Sequence, residues 1–144
     1  MLISQILQAK AMKGILTVAP GTPVAEAANI LSSKGIGAIV VSQDGLHPAG
    51  IITERDIVRE LGKRGTGCLN DDVDMLMTKK LITCTPNDRA IAVLQKMTEG
   101  RFRHMPVMEG DEMVGLVSIG DVVKARLEEL SNQADALKNM IMGY

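Results

Sequence analysis

The chain is expected to fold in the α+β class, with α/β-type layers. Two pseudo-symmetric βαββα units pack together, an N-terminal helix precedes them and a long C-terminal helix follows. Three observations predict this. The sequence repeats itself internally; a Gly–apolar–apolar–Thr/Ser–x–x–Asp run stands at the same place in both copies; and the apolar spacing within each copy alternates between helical and strand-like in the same order. Thr17-Val18-Ala19-Pro20 aligns with Thr83-Cys84-Thr85-Pro86, and Ala38-Ile39-Val40-Val41 with His104-Met105-Pro106-Val107, both at an offset of 66. Gly50-Ile51-Ile52-Thr53-Glu54-Arg55-Asp56 aligns with Gly115-Leu116-Val117-Ser118-Ile119-Gly120-Asp121 at an offset of 65. The missing residue falls in a turn, where Gln43-Asp44-Gly45-Leu46 becomes Glu109-Gly110-Asp111.

Each copy opens with a short strand, about 15–18 and 81–84, followed by a Pro-containing turn and a helix. Thr22 before Pro23 reads as an N-cap with Pro at the first helical position, and Asn87 serves the second copy. Val24, Ala27, Ala28 and Leu31 are spaced for one helix face, as are Ile91, Leu94 and Met97. Gly35 and Gly100 are the expected terminators. Two strands follow in each copy, Ala38–Val41 with Gly50–Ile52 and His104–Met108 with Met113–Val117, around turns holding Asp44-Gly45 and Glu109-Gly110. A last helix begins after Thr53 or Ser118. Residues 62–72 read as a linker and 74–78 as a short helical turn. The expected segments are an N-terminal helix (1–14), a first repeat (15–66), a linker with a short helix (67–80), a second repeat (81–128) and a C-terminal helical extension (129–144). A repeat of about 50 residues is too small to be stable alone, so the two are expected to share a core and to form two related clefts between them.

Composition narrows the function classes. Apolar residues make up 46% of the chain, yet there are one Phe (Phe102), one Tyr (Tyr144) and no Trp, so Ile, Val, Leu, Ala and ten Met must build the core. The net charge of −1, with both signs interspersed, argues against a nucleic-acid binder, which needs a basic face. No run approaches the roughly 20 apolar residues of a bilayer span, and the N-terminus lacks the pattern of a signal peptide. Cys68 and Cys84 lack metal-ligand spacing, so no metal is expected. Reduced thiols and cytoplasmic residence are the default.

The paired Gly–apolar–apolar–Thr/Ser–x–x–Asp runs, with Arg103-His104-Met105-Pro106-Val107 ahead of the second, resemble the CBS (cystathionine-β-synthase) domain family. The resemblance covers about residues 15–60 and 81–127 and is similar to small stand-alone bacterial pairs, or Bateman modules. It implies a regulatory module binding an adenine nucleotide (AMP, ADP or ATP, with NAD or S-adenosylmethionine as the rarer choices) and acting on a partner protein. It also implies roles. Asp56 and Asp121 would hold ribose, and Thr53 and Ser118 would touch phosphate. Thr17, Val18 and Ala38 in one copy, and Thr83, Cys84, His104 and Pro106 in the other, would line the adenine pocket.

Elementary chemistry fits these roles. Thr53 and Ser118 open helices, where unpaired N–H groups and the helix dipole favour anions. A carboxylate three residues on can accept from both ribose hydroxyls. The same spacing also makes a capping box, and a cap can do both jobs in turn. Arg103 suits phosphate; His104 reads equally as a phosphate partner or as a half-buried structural histidine; Arg101 reads as part of a solvated loop. Arg55 is matched by Gly120, so this position is not equivalent in the two sites, and use of one cleft or of both stays open.

From Asp121 to Met142 the last helix would span roughly 33 Å. Val123, Leu127, Leu130, Ala134, Leu137 and Ile141 form a heptad-like seam, read as a homodimer contact with Ile3, Ile6 and Leu7 beside it; the alternative is a tail folded back on its own subunit. Lys124 and Glu128 are spaced for a surface pair. Met75 and Met77 read as packing, Cys84 as buried and inert, and Cys68 as an exposed linker thiol. No nucleophile–base constellation is apparent, the Gly62–Gly67 cluster lacks a P-loop ending, and Asp71, Asp72 and Asp74 lack an EF-hand pattern, so an enzyme is not expected.

Overall fold

The computed structural model describes residues 1–10 and 14–143. Its elements run α1 (Ile3–Ala9), β1 (Thr17–Val18), α2 (Val24–Lys34), β2 (Ala38–Ser42), β3 (Pro48–Thr53), α3 (Glu54–Arg64), a 3₁₀ turn (Gly65–Asn70), α4 (Val73–Leu76), α5 (Ala90–Gly100), β4 (His104–Glu109), β5 (Glu112–Ser118) and α6 (Ile119–Met142). This is the α+β order expected from the repeat. The part of the expected N-terminal helix at 11–13 lies outside the described residues, as does Tyr144 at the other end.

The chain divides into two compact units. One holds Gly14–Ile82 with Met108–Val114; the other holds Met1–Lys13, Thr83–Val107 and Gly115–Tyr144. In the first, β1 pairs parallel with β2, and β2 antiparallel with β3, in the order β1-β2-β3. All five residues of β2 are buried, as a central strand covered on both faces requires. Val18, Val24, Ala27, Leu31, Ile39, Val41, Ile52, Ile57 and Val73 form the core of this unit. Strands β4 and β5 form a two-stranded sheet, and the first strand expected in the second repeat is reduced to one parallel bridge between Cys84 and Val107. The core of the other unit gathers Cys84, Ala90, Val93, Met97, Met105, Val107, Val117, Val122 and Ala125.

The helix starts differ from expectation for a tertiary reason. Thr22 does not cap α2; its hydroxyl closes a turn by donating to the Ala19 carbonyl at 2.7 Å, and Pro23 is the N-cap. The Val24 N–H instead donates to the Asp71 carbonyl at 2.8 Å, and the Val73 N–H to the Thr22 carbonyl at 2.8 Å. The second repeat copies this with α1: the Ala90 N–H donates to the Met1 carbonyl at 2.9 Å and the Ile3 N–H to the Asp88 carbonyl at 2.9 Å. Arg89, not Asn87, is the N-cap of α5. The bridges Pro23–Asp72 and Leu2–Arg89 correspond as well. Each repeat is therefore completed by the short helix that precedes the other one, α4 on the first and α1 on the second. Ile3 and Ile6, expected beside a dimer seam, are consumed by this packing and lie at 0% and 5% exposure.

The motif glycines belong to the same design. A Cβ at Gly50 would meet Met77 Cγ at 2.8 Å and the Thr78 carbonyl oxygen at 2.9 Å, and a Cβ at Gly115 would meet both Leu7 methyls at 2.7 Å. Gly35 ends α2 in the left-handed conformation, as expected. Gly100 does not end α5: a Cβ there would run into the Phe102 ring, and the left-handed cap falls to Arg101 at φ 56°. The buried face of α5 is Ala90, Val93 and Met97, while Ile91 is exposed.

Other differences are local. The expected linker is ordered: α3 runs to Arg64, and the 3₁₀ turn after it buries Cys68 completely, against the expected exposed thiol. The short helix is Val73–Leu76; Met77 packs against the core, but Met75 is 69% exposed. Lys124 and Glu128 form no ion pair among the described residues, whereas Arg126 and Glu129 do at 3.3 Å. The seam residues Val123, Leu127, Leu130, Leu137 and Ile141 all face solvent within this one chain.

Hairpin tips add a charged tie inside the first unit. The Met113 N–H donates to the Leu46 carbonyl at 2.7 Å. His47 Nδ1 sits on Asp44 Oδ2 and its Nε2 lies 3.5 Å from Asp111 Oδ2. Hydrogen bonding to Asp44, its charge, and those of Asp111 and Glu112 raise the His47 pKa. A group with a raised folded pKa contributes stability that is complete below its unfolded value of about 6.5 and is lost as pH rises through the folded value. A proton NMR titration of His47 is expected to give a midpoint above that value, and Asp44→Asn to bring it down. A midpoint unmoved by Asp44→Asn would remove the tie.

Candidate functional site

Both Thr/Ser–x–x–Asp motifs sit at a strand-to-helix junction with an extended N-cap, Thr53 at φ −118°, ψ 162° and Ser118 at φ −96°, ψ 162°. In each, the hydroxyl oxygen accepts the N–H three residues on and the carboxylate reaches back to the cap N–H. Thr53 Oγ1 accepts the Asp56 N–H at 3.2 Å, and Asp56 Oδ2 the Thr53 N–H at 2.9 Å. Ser118 Oγ accepts the Asp121 N–H at 3.1 Å, and Asp121 Oδ2 the Ser118 N–H at 2.9 Å. The capping box is therefore real in both copies. It occupies the hydroxyl only as an acceptor, so each O–H remains able to donate to an anion at the helix N-terminus.

The strand positions fall beside these caps. Ala38 is the direct partner of Thr53 across β2 and β3, and Thr17 and Val18 pair with Val40 and Val41 on the other edge of β2. Val18 and Ala38 are buried and Thr17 is half-buried. The Glu54 N–H donates to the Gly37 carbonyl at 3.0 Å, and in the other unit the Ile119 N–H donates to the Arg103 carbonyl at 2.8 Å. That bond holds Arg103 against the first turn of α6, with His104, half-buried, next along β4. Cys84 and Pro106 are buried and joined by Cys84 N–H to Pro106 carbonyl at 3.0 Å, while Thr83 is exposed. Burial, reinforced by the Asp88 charge, pushes the Cys84 thiol up to about 11, so it stays protonated and inert.

The two carboxylates are not equivalent. Asp56 commits both oxygens, Oδ2 to the Thr53 amide and Oδ1 to Arg59 at 3.2 Å, and only 8% of the residue is exposed. Among the described residues Asp121 places its side-chain contacts on Oδ2, the Ser118 amide at 2.9 Å and Lys10 Nζ at 3.0 Å. Burial alone would raise its pKa, but the Ser118 amide and the Lys10 ammonium outweigh that and hold it below the ordinary carboxylate value. An ionised carboxylate is an acceptor only, which suits a pair of hydroxyl donors. Lys10 and Arg59 join the motifs from outside the Gly–apolar–apolar–Thr/Ser–x–x–Asp pattern. Arg59 lies three residues beyond Asp56 on one helix and was legible as an i,i+3 partner; nothing local links Lys10 to Asp121.

A cation elsewhere has weak support. His47, Asp111 and Glu112 bring three ligand-type atoms within 4.8 Å, all on exposed side chains. The raised pKa of His47 favours the imidazolium, which has no lone pair to give. No helix among the described residues is long and apolar enough to cross a membrane.

Comparison with known proteins identifies the family. A family model described as the CBS domain matches residues 4–63 and again 71–128. The CBS domain-containing protein CBSX3, mitochondrial, of Arabidopsis thaliana is 39% identical over 124 residues, covering 83% of this chain. This chain spans 60% of that relative's length, and 24% of the CBSCBSPB2 protein of the same plant. Among solved structures, the CBS-domain containing protein ATU1752 from Agrobacterium tumefaciens superposes with a TM-score of 0.82 at 39% identity, over 88% of this chain and 99% of that one. The CBS domain pair of protein MJ0100, solved with 5'-methylthioadenosine and S-adenosyl-L-methionine, gives a TM-score of 0.73 at 26% identity over 87% and 98%.

Proposed function

Because the chain belongs to the CBS-domain family, we propose that it is a regulatory ligand-sensing module, not an enzyme. It binds an adenine nucleotide of the AMP, ADP or ATP type at its Thr/Ser–x–x–Asp motifs and passes occupancy to a partner protein. The observation that carries this is the second motif. A helix N-terminus, a hydroxyl with a donor to give and an ionised carboxylate stand together with Arg103 alongside. Protein MJ0100 was solved with two adenosine derivatives, which supports adenosine as the shared part of the ligand. The cations favour a phosphate-bearing one over S-adenosylmethionine, with NAD the remaining alternative. A ligand acts through such a module only by its different affinity for two states. Two buried free thiols support a reducing compartment, for which the cytoplasm is the reading.

The exposed seam of α6, with Leu127 at 62%, Leu137 at 58% and Ile141 at 77%, supports a homodimer in which a second copy covers it. It also supports the rival reading, a dimerisation and docking module indifferent to nucleotide. With one Tyr and no Trp the protein barely absorbs near 280 nm. Protein purified without added nucleotide is expected to show a band near 260 nm that passes into the filtrate on denaturation, where mass spectrometry names the ligand. A flat spectrum together with no thermal shift on adding AMP, ADP or ATP would sink nucleotide sensing and leave the docking module.

A further inference from the structure

The second motif holds a cation delivered from the far end of the sequence. Lys10, just after α1, donates from Nζ to the Leu116 carbonyl at 2.9 Å and pairs with Asp121 Oδ2 at 3.0 Å. An ammonium carries three donors, and among the described residues these contacts use two. Lys10 is positioned by the packing of α1: Ile3 and Ile6 enter the core, and Leu7 covers Gly115. The same first turn of α6 is met by Arg103 through its carbonyl bond to the Ile119 N–H. Apart from Asp121 itself, no acidic residue stands in the motif from Gly115 to Asp121.

The first motif is built from the same plan with other charges. Gly37 takes the place of Arg103 at the equivalent backbone bond, Glu54 is the first helical residue, and Asp56 is answered by Arg59 from its own helix. Lys80 stands three residues past Met77, which crosses Gly50, just as Lys10 stands three past Leu7, which crosses Gly115. Yet Lys80 is exposed and makes no ion pair with Asp56 among the described residues.

We propose that Lys10 is a specificity residue of the second motif: anchored on Asp121, its ammonium makes that motif prefer a phosphate-bearing adenine nucleotide to the bare nucleoside. The proposal rests on the nucleotide reading above. The carboxylate orients the lysine, the lysine neutralises the carboxylate against incoming phosphate, and the remaining donor adds to those of the helix N-terminus and Arg103. Without Lys10, Asp121 would face an anionic ligand as a like charge.

Calorimetric titration of the full chain with adenosine, AMP and ATP tests this in wild type, Lys10→Met, Lys10→Arg and Lys80→Met. Wild type is expected to hold AMP about tenfold or more tighter than adenosine. Lys10→Met should erase most of that ratio while adenosine affinity stays within about twofold, Lys10→Arg should restore it, and Lys80→Met should match wild type. An unchanged AMP-to-adenosine ratio in Lys10→Met, an equal loss for all three ligands, or the same loss in Lys80→Met would each overturn the role of Lys10. Wild type that takes up none of the three ligands would remove the nucleotide reading itself, and Lys10 with it.

Discussion

Replacing Asp121 with Asn is expected to weaken binding of an adenine nucleotide on the order of tenfold to a hundredfold, since a hydrogen bond to a charged group contributes about 1.5–3 kcal/mol. Asn is the informative choice. Its amide oxygen can still accept the Ser118 N–H that Asp121 Oδ2 accepts at 2.9 Å, so the capping box survives and the thermal midpoint should move little. What disappears is the negative charge that would draw two ribose hydroxyls and that holds Lys10 at 3.0 Å. Asp56→Asn should cost less affinity, because both oxygens of Asp56 are already committed within the protein. Calorimetry gives the affinity and thermal unfolding the fold. The pH dependence has a definite sign. A carboxylate whose folded pKa is depressed adds stability above its unfolded value of about 3.9 and loses it as pH falls through the folded value. Asp121 is therefore ionised throughout the neutral range, and binding should show no titration from it there. An Asp121→Asn protein that binds as tightly as wild type would take Asp121 out of the ribose role.

Ile39→Ala should produce the largest loss of stability. Ile39 lies on β2, the middle strand of the three-stranded sheet, with its side chain fully buried between Ile52 across the ladder and the core of that unit. Removing three carbons there forfeits their transfer free energy and leaves a cavity that a central strand cannot collapse around, at a cost of about 2–5 kcal/mol. Against a total of roughly 5–15 kcal/mol, and at about 2–4 °C per kcal/mol for a chain of this size, the thermal midpoint should fall by roughly 5–15 °C. Ile39→Val removes one methyl and should cost about 0.5–1.5 kcal/mol. Calorimetric melting of the pair checks both, and an Ala variant no less stable than the Val variant would mean that β2 is not the packed centre of the unit.

Much of this was written locally in the chain. Two copies of one spacing predict the αββα order that both repeats show, with the leading strand formed only in the first, and the hairpins fall within a residue or two of their expected places because apolar strand runs and Gly-containing turns are short-range signals. The motif caps were equally legible: Thr53 with Asp56 and Ser118 with Asp121 need only three residues and a helix start. Cys84 is buried and its thiol held protonated, as its alignment with the buried Val18 of the first repeat predicts. Cys68 is buried against the expected exposure, because Gly-rich sequence signals a loop but not where the loop packs.

The sequence by itself determined the repeat, the element types and the chemistry present at each motif, since these depend on spacing along a few residues. Only the tertiary structure decided which distant groups complete them. Thr22 and Asn87 have the side chains of N-caps, yet α2 and α5 take their closing acceptors from the Asp71 and Met1 carbonyls, because α4 and α1 each dock on the opposite repeat. Gly50 and Gly115 are glycine because Met77 and Leu7 cross them, and Lys10 reaches Asp121 by the same crossing. Periodicity reports the face a residue turns to the core, whereas these partners are set by which short helix packs on which repeat, and that is fixed only when the backbone hydrogen bonds of each unit are satisfied together.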